Sequence, residues 1–325
     1  MKENVKAWIL ALIMSLILPG IFLSVAEKVV KRPSETLGIQ NSENATKPIL
    51  KDTGIFIPVL NNEEYQQMDL NTYLVGVLLG EMPTDFDLEA LKAQAVVART
   101  YTLKRNTTGL KHLGGAVCTD STCCQAFCSM EDFLKDGGVQ EALNKVIIAV
   151  QDTNQQVLTY MDALIEATYF SCSGGRTEDA EAVWGSEIPY LQALDSPGEE
   201  QATHYTDQIV FTAEEFSERL GFTPQTPPVA WLGNTTYTNG QGVDTMVIDG
   251  KTYKGTQLRE KLNLPSTAFA IEIVGDSVQI TTRGFGHRVG MSQYGAEAMA
   301  VQGHNYEDIL RYYYPGTELV SYSRN

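Results

Sequence analysis

From Ala7 to Ala26 the chain runs AWILALIMSLILPGIFLSVA, twenty residues without a charged side chain. At a rise of about 1.5 Å per residue such a helix is roughly 30 Å long, the thickness of a bilayer's hydrocarbon core. Lys2 and Lys6 precede it, which by the positive-inside rule keeps the N-terminus in the cytoplasm and sends the rest across. Ser24-Val25-Ala26 offers a small-x-small cleavage site, so a removed signal peptide is the alternative. The apolar run exceeds the signal-peptide core of about 7–15 residues, which favours an uncleaved single-pass anchor. Either reading places the bulk of the protein outside the cytoplasm.

Residues 1–27 are thus expected to be a cytoplasmic stub and membrane helix. Residues 28–54 are polar, carry Pro33 and Pro48 and show no apolar period, and read as a flexible tether. Residues 55–325 remain for a folded ectodomain. The chain's net charge is −16, a poor match to nucleic-acid phosphates. Apolar residues make up 43%, enough for a core, which excludes a disordered chain. Five cysteines in 325 residues exclude a disulfide-built scaffold.

Along the ectodomain, Ile55–Leu60 reads as a strand. Asp69 is placed to cap a helix that is apolar on most faces, and Pro83 should stop it near Glu81. Asp85 or Asp87 can cap an Ala- and Leu-rich helix over 88–105, and residues 106–130 look like a loop. A helix at 139–151, a hairpin from 157 to 171, strands at 246–249, 269–274 and 277–283, a helix from about Ser292 and a last helix ending at Pro315-Gly316 follow. Residues 195–265, acidic at the start and broken by Pro224, Pro227 and Pro228, suggest a turn-rich subdomain or insertion. Mixed runs without βαβ alternation predict an α+β fold, helical and antiparallel β.

Glu81 stands at the end of an apolar helix, with no other acid between Asp69 and Asp85. The negative helix end and low-polarity neighbours both disfavour its carboxylate, raising its pKa toward that of a general acid. An ordinary exposed helix-end glutamate is the alternative. Lys92 and Arg99, seven residues apart, share a helical face. Ser173-Gly174-Gly175-Arg176 reads as a tight turn that backbone or sugar can approach closely. Lys92, Arg99, Arg176 and Arg283 are the cations an acidic ectodomain would use to hold an anionic polymer. His112, Cys118 and Cys124, spaced by six residues each, can ligate a zinc ion; a Cys118–Cys124 disulfide is the competing reading. Cys123 and Cys128 are substitute ligands, and Cys172 a buried or free thiol.

LVGVLLGEMPTDFDLEALKAQAVVARTYTL (74–103), YFSCSGGRTEDAEAVWGSEIPYLQALDSP (169–197), RGFGHRVGMSQYGAEAMA (283–300) and NYEDILRYYYPGTEL (305–319) resemble, in order, the blocks of the stage II sporulation protein D family, also called the amidase-enhancer family. The resemblance implies a lytic transglycosylase that cuts peptidoglycan glycan strands during forespore engulfment, with the Glu81 of G-E-M-P as acid/base. It associates Lys92 and Arg99 with the active cleft, and His287, Ser292 and Gln293 of the C-terminal block with substrate. It gives the C-Q-A loop either a zinc ion or a disulfide. A peptidoglycan amidase and other membrane engulfment proteins are the implied partners. The family pattern has glycine where this chain has Arg288, which questions any role there that needs positive φ. The rival readings are a glycan-binding enhancer of an amidase and, without an HExxH motif, a zinc hydrolase.

Overall fold

The computed structural model describes residues 48–323, apart from 62, 63, 110 and 154. The expected membrane helix and residues 28–47 of the expected tether lie outside the described residues; its last residues, 48–54, are tied to the folded part, with the Lys51 carbonyl accepting from Asn71 and Thr53 donating to Asp69. Among those described, no helix is long and apolar enough to cross a membrane.

Strands β1 (Phe56–Asn61) and β2 (Glu64–Asp69) form an antiparallel pair that delivers the chain into helix α1 (Leu70–Glu81). Asp69 caps α1 by accepting from the Asn71 amide at 2.9 Å, and its other oxygen ties down Thr53. Leu70, Tyr73, Leu74, Val75, Val77 and Leu78 are all fully buried, so α1 is enclosed on most faces. Met82 is extended, as a residue before proline must be, and ends the helix at Glu81.

Asp87 caps helix α2 (Leu88–Thr108), which Gly109 closes in the left-handed conformation at φ 63°. Every residue from Ala93 to Leu103 is buried. The small side chains of this stretch let other helices pack closely around α2. The segment read as a loop contains β3 (Val117–Cys118), which joins β1 in parallel, and then α3 (Met130–Lys135). Helix α4 (Gln140–Asp152) packs on α2, followed by β4 (Gln156–Tyr160), β5 (Ala163–Leu164), β6 (Tyr169–Phe170) and α5 (Ala180–Trp184).

The next stretch holds more regular structure than its prolines suggest: β7 (Thr206–Thr212), α6 (Ala213–Leu220), β8 (Leu232–Tyr237), β9 (Val243–Ile248), β10 (Lys251–Lys254) and α7 (Gly255–Leu262). Thr212 and Glu215 start α6 with a reciprocal capping box, and Gly221 ends it. A second apolar core forms here, from Phe211 and Phe216 through Trp231, Ile248 and Leu258 to Phe269 and Ile280. It reaches past residue 265 because β7 pairs with β12 (Ser277–Arg283), itself paired with β11 (Phe269–Val274).

β13 (Met291–Ser292) returns to the first core and pairs in parallel with β6, Met291 opposite Tyr169. Helices α8 (Gln293–Val301) and α9 (Tyr306–Tyr313) follow. A last strand the sequence did not announce, β14 (Glu318–Ser321), pairs with β4. The fold is mixed α+β, as expected.

Candidate active site

Glu81 is half-buried at the last position of α1, and its Oε1 accepts the Ala126 amide at 2.6 Å. The Tyr169 phenol, whose one proton can serve either this carboxylate or Gln125 Oε1, and the Gln293 carboxamide also reach its carboxylate. Burial raises the Glu81 pKa above the usual carboxylate value, and these donors pull partly the other way. Among the described residues no other carboxylate is close enough to perturb it. Gln293 is buried, and its Nε2 makes no hydrogen bond among the described residues, an unsatisfied donor beside the carboxylate.

The three donors come from distant parts of the chain. The β6–β13 pairing sets Tyr169 beside the segment that leads into Gln293. Ala126 is delivered by the cysteine loop, locked by Gln125, which is fully buried. Gln125 Nε2 donates to Tyr73 Oη (3.2 Å) and Thr102 Oγ1 (3.0 Å), and its Oε1 accepts from Tyr169 (3.2 Å). Sequence reasoning passed over Tyr169 and Gln125 as site residues. Tyr169 opens the second quoted block and Gln125 stands in the C-Q-A loop, but their pattern does not distinguish a site tyrosine or glutamine from a core one.

The expected metal ligands His112, Cys118 and Cys124 come together and are joined by Cys123, with all four ligand atoms within 4.8 Å of one another. Cys123 Sγ lies 3.4 Å from His112 Nε2 and 4.0 Å from Cys124 Sγ. A tetrahedral zinc with Zn–S bonds of about 2.3 Å has ligand–ligand edges of about 3.8 Å, so the donor set fits that ion in kind, number and spacing. All five cysteines are free thiols, so the Cys118–Cys124 disulfide is not formed. Burial and the adjoining thiols push Cys124 up to about 12, a cost that a dication at this point would reverse. Cys128 stays outside the cluster, donating to the Ser129 carbonyl, and Cys172 is buried with its thiol on Glu199.

The remaining expected site residues divide sharply. Lys92 and Arg99 do share a face, but that face is turned to the end of α4. Lys92 pairs with Glu89 (3.0 Å) and Asp152 (3.3 Å). Arg99 is fully buried and donates to the Val150 and Gln156 carbonyls and to Thr153 Oγ1, so it caps α4 and presents nothing to solvent. Ser173 is buried too: its amide and hydroxyl both bind the Glu199 carboxylate, which also receives the Gly174 amide. Glu199 thereby fixes the turn. Gly174 needs to be glycine, since at φ 71° its Cβ would stand 2.7 Å from the Arg283 carbonyl carbon. Gly175 continues the turn, its amide on Ser173 Oγ. Arg176 pairs with Asp195 and donates to the Asn239 carbonyl. Arg283 is exposed and makes no ion pair among the described residues.

His287 Nδ1 accepts the Val289 amide, its ring meets the Tyr169 backbone, and burial lowers its pKa to about 4. It is a neutral packing group at physiological pH. Ser292 caps α8 by accepting the Gly295 amide. Arg288 takes φ 65°, so the left-handed backbone survives the loss of glycine. Its buried guanidinium donates to the carbonyls of Ser173 (3.0 Å), Arg176 (2.8 Å) and Gly240 (2.5 Å). Those bonds clip the 173–176 turn to the second core's loop and offset a strain of about 1–2 kcal/mol.

Residues 61–160 match the family model described as SpoIID, stage II sporulation protein. The stage II sporulation protein D of Bacillus subtilis is 41% identical over 277 residues, covering 83% of this chain and 80% of that protein. Its counterpart in Bacillus amyloliquefaciens is 40% identical, covering 84% of this chain and 81% of that protein. The amidase enhancer of Bacillus subtilis is 30% identical over 77% of this chain, but that stretch is only 40% of its own length. The chain belongs to the stage II sporulation protein D family.

Proposed function

We propose that the protein is a peptidoglycan lytic transglycosylase that cuts glycan strands between N-acetylmuramic acid and N-acetylglucosamine during sporulation. The observation that carries the reading is the half-buried carboxylate of Glu81, raised in pKa with no second carboxylate beside it, held by the Ala126 amide and flanked by Tyr169 and Gln293. Glycosidases that work through water or a covalent intermediate need two facing carboxyls. A lytic transglycosylase needs one. Protonated Glu81 gives its proton to the glycosidic oxygen as the bond to C1 of the muramic acid breaks. The sugar's own C6 hydroxyl then bonds to C1 and returns its proton to Glu81, leaving a 1,6-anhydro end and a free 4-hydroxyl. Water is not consumed, and the carboxyl is restored.

The surrounding groups support these steps. The Ala126 amide stabilises the carboxylate at the moment its proton has left, with the Tyr169 phenol and Gln293 carboxamide beside it, while burial raises its pKa and so favours the acid form. Exposed Arg283 suits the lactyl carboxylate of muramic acid. His112, Cys118, Cys123 and Cys124 would hold a zinc ion, which supplies structural cross-linking; Gln125 and Ala126 follow Cys124 directly, so the ion would stiffen the loop that aims Glu81. Residues 7–26 would anchor the chain with its folded part outside the cytoplasm, beside a peptidoglycan amidase and other engulfment proteins.

The test compares the purified wild-type chain with Glu81→Gln on peptide-free glycan strands, with products read by mass. Anhydro ends from wild type and none from the folded variant are expected. Hydrolytic ends, or cleavage by the variant, refute the assignment. The similarity to an amidase enhancer favours one second reading, a glycan-binding activator. It predicts strand binding without cleavage by both proteins.

A further inference from the structure

We infer that Trp184 is the platform of a second sugar subsite, one that binds an N-acetylated hexosamine of the glycan strand away from the bond at Glu81. The inference rests on the glycan-strand reading above and names how the strand is held beyond the reacting sugars. Trp184 is the last residue of α5 and remains 42% exposed in a fold whose other described tryptophan, Trp231, is 2% exposed. The residue after it, Gly185, turns the chain away at φ 76°, and a side chain there would meet nothing within 4 Å. The ring therefore stands at an open edge.

Its position is tied to the active carboxylate by contacts. The Tyr169 phenol reaches Glu81, the Tyr169 backbone meets the His287 ring, and that ring lies 5.6 Å from the Trp184 ring. Phe170 holds the other side of His287 at 5.7 Å. The imidazole is uncharged and has its nitrogens engaged, so it serves as a fixed backing for the indole.

Trp184 lines a recess of about 590 Å³ with Tyr237, Asn239, Asp244, Lys254 and Thr256. That is the size of a small-ligand site. Tyr237 is 62% exposed and supplies a second ring. Val183 and Thr256 also line a neighbouring recess of about 430 Å³ that contains His287. Flat aromatic faces rimmed by amide, carboxylate, hydroxyl and ammonium groups suit a pyranose. Its axial C–H face packs on a ring while its equatorial hydroxyls and acetamide take hydrogen bonds. Lys254 can meet a lactyl carboxylate when the sugar is muramic acid.

The chain's three tryptophans make the test direct. In the full chain carrying Trp8→Phe, only Trp184 and buried Trp231 emit. Chitohexaose should shift emission to shorter wavelength and quench it, and Trp184→Phe in the same background should abolish the change. Unchanged emission at concentrations where calorimetry detects binding overturns the proposal, as does an absence of binding. On peptide-free strands, Trp184→Ala should raise KM about tenfold, with Trp184→Phe recovering most of it. Strand cleavage with KM unmoved by Trp184→Ala overturns the subsite and leaves Glu81 as acid/base. An emission change in a protein that never cleaves upholds the subsite and refutes the transglycosylase.

Discussion

Gly80 is the position at which one added carbon should separate stability from catalysis. It lies one residue before Glu81 in α1, and a Cβ there would stand 2.7 Å from the Phe127 amide nitrogen and 2.9 Å from the Ala126 carbonyl carbon. Ordinary contact begins at 3.4 Å, so Gly80→Ala must move the 126–127 backbone outward by about 0.7 Å. The neighbours are backbone, not the tip of a flexible side chain, and cannot rotate away. Helix propensity gains about 1 kcal/mol, while overpacking costs about 1–3 kcal/mol. The protein should stay folded, with Tm within roughly 4 °C of wild type. The bond that must suffer is Ala126 N–H to Glu81 Oε1, now 2.6 Å long. A misplacement of this size should lower kcat about 10- to 100-fold. Losing that donor also removes an influence that lowers the Glu81 pKa, so the alkaline limb of the pH–rate profile should move to higher pH. The assay is anhydro-product formation across pH beside a thermal melt. A folded Gly80→Ala protein with full activity and an unmoved limb would refute the idea that the Ala126 amide aims Glu81.

Four other outcomes are expected. Activity should fall as pH rises through the raised pKa of Glu81, because the acid form is the proton donor. By linkage the folded state holds this proton more tightly than the unfolded chain does. Wild type should therefore lose stability relative to Glu81→Gln as pH climbs from the ordinary glutamate value to the raised one, and denaturant titrations showing the opposite slope would contradict the assignment. Arg99→Met removes the donors that cap α4 and should cost about 3 kcal/mol in unfolding experiments; a stable but inactive variant would instead place Arg99 at the substrate. Cys123→Ser should weaken zinc binding at least tenfold by competition with a chelator, whereas Cys128→Ser should leave it intact; equal effects would break the four-ligand assignment.

Local chemistry was legible wherever it is written in adjacent residues. Asp69, Asp87 and Pro83 set the ends of α1 and α2, because caps and proline act within a turn of themselves. The two strands over 269–274 and 277–283 were readable from alternation across a tight turn. Strand β14 and, apart from the strand at 246–249, the elements between residues 206 and 262 were not, since prolines and acidic side chains obscure a period that only the second core makes visible. The cysteine loop announced three donors by even spacing. Cys123 joins because the turn made by Asp120 and Cys124 brings adjacent thiols to one point, which spacing does not encode.

The sequence alone determined that a glutamate would end an apolar helix, that a His/Cys loop would follow it, and that the folded part would mix helices and antiparallel strands. Tertiary structure decided what those parts do to one another. Lys92 and Arg99 share a face by helical geometry, but only the packing of α4 against α2 decides that the face is covered. Tyr169 and Gln293 meet Glu81 because β6 pairs with β13, and the Ala126 amide meets it because Gln125 is locked among Tyr73, Thr102 and Tyr169. Caps and periods are short-range and leave their mark in neighbouring letters. The pKa of a carboxylate is set by whatever burial and donors the whole fold brings within hydrogen-bonding reach.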